Sequence, residues 1–149
     1  MKKTLLLFTL NLICFCIFAG GYEDSKTIDA NKVANFNITL QKEIITVSTH
    51  KGNDTHVISE TNDKSIFPIV ELENNTLIIR RTEYQLIEKG ICYISLMLPE
   101  KYTANNFTLT NNYGKLHIKQ LNAKSVSLNP GPNNLLENYD RLKGQKSKK

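Results

Sequence analysis

Residues 91–99 read Ile91-Cys92-Tyr93-Ile94-Ser95-Leu96-Met97-Leu98-Pro99. Cys92, Ile94, Leu96 and Leu98 fall on one side of an alternation. Ile91, Tyr93, Ser95 and Met97 fall on the other. Period-two alternation over this length marks a β-strand with one buried face. Cys92 belongs to the wholly apolar side and reads as a small buried hydrophobe. Pro99 has no N–H to donate and closes the ladder.

The same period recurs on both sides of that strand. Upstream, Phe36, Ile38 and Leu40 face one way, with Asn37, Thr39 and Gln41 on the opposite face. Ile45 and Val47 continue after a break. Lys51-Gly52-Asn53-Asp54 is a turn by composition, followed by a short strand at Val57-Ile58. Val70 and Leu72, then Glu73-Asn74-Asn75, then Leu77 and Ile79 spell a hairpin. Downstream, Phe107-Thr108-Leu109 and Val126-Ser127-Leu128 lie 19 residues apart, with Leu116-His117-Ile118 and Leu121 between them. The turns Asn111-Asn112-Tyr113-Gly114 and Asn129-Pro130-Gly131 separate these units. Units this short bury little alone. Stacked as successive coils, their apolar positions form one continuous core. The fold class expected is all-β: a short single-stranded β-solenoid, or β-helix-like domain, with an N-terminal antiparallel hairpin region.

The stretch from Ile94 to Asn129 resembles the bacterial putative-adhesin domains. These are small exported β-solenoid domains of unknown function, related to autotransporter-adhesin head domains. The strand ending at Pro99, the turn glycine Gly114 and the alternating rungs carry the resemblance, and Asn75-Thr76-Leu77-Ile78-Ile79 is similar to the family's entry region. In all it covers residues 36–131. Family members usually add rungs where this chain turns to Pro130-Gly131-Pro132. The resemblance implies a non-enzymatic binding module, and the word adhesin comes from it alone.

The N-terminus is a separate object. Lys2 and Lys3 precede an apolar run from Thr4 to Phe18, and Ala19-Gly20-Gly21 offers small residues for cleavage after Gly21. That is the layout of a secretory signal peptide, and the run is shorter than the ~20 residues a bilayer crossing takes. A retained N-terminal anchor is the alternative. Ile13 and Phe15 precede Cys14 and Cys16, so the small residue of a lipoprotein signal is missing. No second apolar run of membrane length follows. The division expected is a signal peptide at 1–21, a polar leader at 22–35, a solenoid-like domain at 36–132, and a basic tail or short capping helix at 133–149. That helix would start at Asn134, use Leu135, Leu136, Tyr139 and Leu142, and end at Gly144. Loss of the leader leaves one cysteine, Cys92, and therefore no internal disulfide.

The formal charge of +5 divides unevenly. Lys2 and Lys3 leave with the leader, and Arg141, Lys143, Lys146, Lys148 and Lys149 sit in the last nine residues without an acid. Residues 22–140 then carry 12 cations against 14 acids, a net of −2. The basic tail reads as a solvated end, with anionic lipid or glycan as the alternative. Export argues against nucleic acid. Lysine outnumbers arginine 16 to 3 and there are 17 asparagines, the bias of an AT-rich bacterial genome.

No catalytic, cofactor or metal motif stands out. His50 and His56 bracket a loop with Asp54, without metal-ligand spacing. His117, between Lys115 and Lys119, sits on an outward face, either simply solvated or part of a small cationic stripe. Glu71 and Glu73 share one strand face that reads as solvent-facing. The Asn-x-Thr sequons at Asn37, Asn53, Asn74 and Asn106 are incidental in a bacterial chain of this composition and fit turns and outward faces. The function expected is an exported, non-enzymatic envelope or cell-surface module, in the periplasm, at the surface or outside. Its outward Thr, Ser, Asn and Lys would meet a glycan or an envelope protein partner. The alternative is a periplasmic assembly domain that pairs a β-edge with a partner.

Overall fold

A computed structural model describes residues 21–81 and 90–131. Ten strands run in chain order: β1 (Tyr22–Asp29), β2 (Asn35–Leu40), β3 (Ile44–His50), β4 (Asp54–Thr61), β5 (Ile69–Glu73), β6 (Thr76–Arg80), β7 (Cys92–Pro99), β8 (Ala104–Asn111), β9 (Lys115–Ile118) and β10 (Ala123–Pro130). Short 3-10 turns at Ala30–Lys32 and Lys64–Ile66 are each opened by an aspartate, Asp29 or Asp63, whose side chain accepts a backbone N–H two residues on. The strands form two mixed five-stranded sheets. Sheet I has the order β1-β4-β7-β3-β9, and sheet II the order β10-β8-β2-β6-β5.

The 19-residue spacing becomes a register. β8 and β10 pair in parallel, with Phe107 opposite Val126 and Leu109 opposite Leu128. β2 joins β8 on the other side, placing Phe36 beside Phe107 and Ile38 beside Leu109, and β6 adds Leu77 and Ile79 to the same rows. Sheet I answers with Ile94-Ile45-Leu116 and Leu96-Val47-Ile118. Both sheets turn these rows inward onto a single core. Each fully buried Leu, Ile or Phe contributes about 1.5–3 kcal/mol. The rings of Phe36 and Phe107 lie 5.5 Å apart. Tyr102 meets Phe36 edge-on at 6.1 Å and donates its hydroxyl to the Val33 carbonyl at 2.7 Å.

The expected single-stranded β-solenoid gives way to a two-sheet, sandwich-like arrangement. One circuit does follow the expected path: β8 in sheet II leads to β9 in sheet I and back to β10 in sheet II, with parallel pairing. The antiparallel pairs β1–β4, β4–β7 and β5–β6 make both sheets mixed. The hairpin read from Val70 to Ile79 is β5–β6. Its two-residue loop, Asn74-Asn75, takes φ of 46° and 61°, as a type I′ turn requires.

Tyr22–Asp29, within the stretch read as a polar leader, is a full strand paired with β4 along its length. Its sequence hides this because both of its faces are polar and Ile28 is its one aliphatic residue. β4 is likewise longer than Val57-Ile58 suggests. Its inward residues are Thr55, Val57, Ser59 and Thr61, three of them polar, so hydrophobic alternation fails where the strand continues. The signal peptide and the capping helix expected after Asn134 lie outside the described residues. No helix among the described residues is long and apolar enough to cross a membrane.

Candidate ligand-binding face

The outer surface of sheet II is built from the residues that alternate with the core rows. Parallel register aligns like with like: Asn37-Thr108-Ser127 form one row and Thr39-Thr110-Asn129 the next. A third row holds Asn35-Asn106-Ser125, where Asn106 Nδ2 donates to Asn35 Oδ1 at 2.9 Å. Across β2, β8 and β10 this face carries only amides and hydroxyls, spaced by the ~4.8 Å between strands. Parallel pairing of repeated strands produces such a surface without further design, since every inward apolar row is bounded by an outward polar one. β6 extends the rows with Thr76, Ile78 and Arg80. Arg80 reaches Glu71 of β5 at 3.4 Å in an exposed pair. Two sequon residues, Asn37 and Asn106, lie on this outward face.

Glu71 and Glu73 do not form a buried acid–base pair. Glu71 is half-exposed against Arg80, and Glu73 is exposed at the hairpin end. His117, Lys115 and Lys119 are all exposed on the outer side of sheet I, as their alternation requires.

His50 and His56 do converge, which their separation in sequence concealed: β3 and β4 bring their rings to 4.8 Å. Both nitrogens of His50 are engaged within the connecting turn. Nδ1 accepts the Gly52 N–H at 3.0 Å, and Nε2 donates to the Asp54 carbonyl at 2.7 Å. His56 Nδ1 lies 3.0 Å from Thr27 Oγ1. Among the described residues no group of three or more His, Cys, Asp and Glu could hold a metal ion.

Cys92 is buried, and burial pushes its thiol up to about 12, with the negative charge of Glu43 adding to the effect. It is therefore a protonated core residue with no thiolate to offer. Glu43 was invisible as a buried group in the sequence, where it follows Gln41-Lys42 in an ordinary polar turn. Its carboxylate accepts the N–H groups of Gln41 and Lys42 at 2.7 and 3.0 Å and lies 3.5 Å from Arg81 Nε. Its carbonyl accepts from the Lys115 N–H at 3.1 Å and from Asn111 Nδ2 at 2.9 Å. Asn111 in turn takes the Gly114 N–H at 3.1 Å. These contacts lock the corners where the chain passes from sheet II to sheet I, and so fix the register of the outer rows.

Neither protein-family models nor curated proteins give a match to this sequence. Solved structures do. A putative cell adhesion protein from Clostridium sporogenes superposes with a TM-score of 0.58 at 13% identity, over 74% of this chain and 57% of its own. Putative adhesins from Parabacteroides merdae and Bacteroides fragilis give TM-scores of 0.46 and 0.47 at 11% and 14% identity. They cover 76% and 73% of this chain and 53% and 55% of their own. The chain thus spans little more than half the length of each, and what it shares with the Clostridium sporogenes adhesion protein is the fold.

Proposed function

We propose that the protein is an exported, non-enzymatic binding module of the bacterial envelope or cell surface, adhesin-like, whose ligand-facing surface is the outer side of sheet II. The observation that carries this reading is the register of uncharged amides and hydroxyls across β2, β8 and β10. Repeated hydrogen-bonding groups at strand spacing suit a neutral, hydroxyl-rich ligand such as a glycan. The likeness in fold to the Clostridium sporogenes cell adhesion protein supports the reading. The candidates for chemistry support a non-enzymatic role by their surroundings: Cys92 is held protonated, the His50 nitrogens are tied into a turn, and Glu71 sits in an exposed ion pair. The leader at residues 1–21 supports export. The β8–β9–β10 circuit supports descent of the domain from a short solenoid to which β1, β4 and β5 add antiparallel strands.

Binding of the purified domain to a glycan array and a host-matrix panel tests this, beside the triple variant Asn37→Ala, Thr108→Ala, Ser127→Ala. Binding by the natural chain that is lost in the variant, with thermal stability kept, is expected. Absence of any binding at micromolar concentration overturns the glycan reading. Protease treatment of intact cells separates the compartments: cleavage means surface exposure, and protection until the envelope is opened means the periplasm.

A second reading rests on β10. Among the described residues this eight-residue strand ends sheet II with one strand neighbour, β8. An envelope protein that adds a strand there would make the chain an assembly domain. Crosslinking in cells that captures a partner through β10 would favour this reading over ligand binding.

A further inference from the structure

The outer side of sheet I faces away from the proposed ligand surface and has a different character. Its strand order puts β7 at the centre, β4 and β3 beside it, and β1 and β9 at the edges. One outward row runs Glu23, Glu60, Tyr93, Ile44, Lys115 across the five strands. Two residues along each strand the row is Ser25, Ile58, Ser95, Thr46, His117. The next holds Thr27, His56, Met97 and Ser48, with Lys119 following β9. Acids therefore sit at the β1/β4 edge and bases at the β9 edge. Tyr93, Ile44, Ile58 and Met97 occupy the middle, with Tyr93 37% exposed and the other three half-buried.

This layout is its own complement. A half-turn about an axis parallel to the strands and passing over β7 exchanges the two edges while preserving each row. Glu23 of one copy then lies over Lys115 of the other, and Glu60 lies over Ile44 on the neighbouring strand, beside that lysine. Tyr93 and Met97 on the central strand lie over themselves, and the apolar middle is covered. We propose that the outer face of sheet I is a homodimer interface, occupied by a second copy of this chain related by that two-fold axis. An isologous contact of this kind closes as a dimer and does not propagate. Opposed charges at both edges fix the orientation, because the alternative with like edges together sets acid on acid.

Size sets the strength. Five strands span about 19 Å and seven or eight residues about 25 Å, so each copy offers a face on the order of 500 Å². That lies at the low end for specific association, the range of weak and reversible contacts.

Analytical ultracentrifugation of the chain from residue 22 onward, across a concentration series at low and high salt, is the first measurement. A reversible monomer–dimer equilibrium that weakens about tenfold or more in high salt is expected. A chain that stays monomeric at several hundred micromolar in low salt overturns the proposal. The decisive step uses charge reversals. Glu23→Lys with Glu60→Lys, and Lys115→Glu with Lys119→Glu, are each expected to abolish self-association, while an equimolar mixture of the two forms a heterodimer. If the mixture stays monomeric, or if either variant dimerises like the natural chain, the interface is elsewhere. Met97→Lys sets a cation on the axis against its own copy and serves as the second disruption if a charge-reversed chain fails to fold.

Discussion

The Cys92 thiol at the start of β7 is a proton-holding group in the folded chain and an ordinary one in the unfolded chain. Ionisation moves from 9.0 to about 12 on folding, chiefly because burial penalises the charge. Below pH 9 both states keep the proton, and stability does not depend on it. Above pH 9 the unfolded chain loses its proton first, so stability falls as pH rises toward 12. Tyr102, pushed from 10.0 to about 12 by burial, adds the same trend from near pH 10. Urea titrations at pH 8, 9.5 and 11 will show this decline, and Cys92→Ala will flatten its first part. At pH 8 the native thiol will resist a disulfide reagent that modifies it rapidly in denaturant. The burial of Cys92 was legible because every second residue around it is apolar. Thr55 was not legible. It is buried on the inner side of β4, and its hydroxyl has no hydrogen-bond partner among the described residues. Thr55→Val keeps the shape and removes that group, and thermal denaturation will show a gain of about 1–2 kcal/mol.

At the scale of elements, the corners between the sheets matter as much as the strands. Glu43 and Arg81 form a pair with side chains 5% and 12% exposed, and Glu43 also accepts the two backbone N–H groups that precede it. Glu43→Ala leaves a guanidinium without its carboxylate and two backbone donors without their acceptor. Chemical denaturation will show a loss of about 3 kcal/mol or more. Gly114 stands against the same corner: a Cβ there would run into the Glu43 carbonyl and the Asn111 amide. Gly114→Ala will lower stability by about 1–3 kcal/mol. Sequence reading found the turn that contains Gly114 but not its partner, because 71 residues separate Glu43 from Gly114 in the chain. Strands with alternating aliphatic residues, such as β2, β7 and β8, were legible. β1 and most of β4 were not, because an edge strand and a polar-lined strand owe their place to ladder hydrogen bonds, which leave no hydrophobic period.

For the molecule as a whole, the repeat spacing foretold which residues would lie side by side and on which face. It did not foretell two mixed sheets, since the direction of β4 and β5 is set by turns and by their neighbours. The order of those neighbours along the chain has a kinetic consequence. β2 pairs with β6 and β8, and β3 pairs with β7 and β9, so each of these two strands precedes both strands that flank it. A chain threaded N-terminus first through any channel holds β3 without a partner until residues beyond 90 have emerged, and leaves β2 with β6 alone until β8 follows. Its core then closes late and all at once. Refolding from denaturant will take milliseconds to seconds, as suits pairings of long sequence separation. A chain ending at residue 103, which lacks β8, β9 and β10, will stay unfolded by circular dichroism: delay in meeting its partners is written into the strand order and keeps the polypeptide pliant until they arrive.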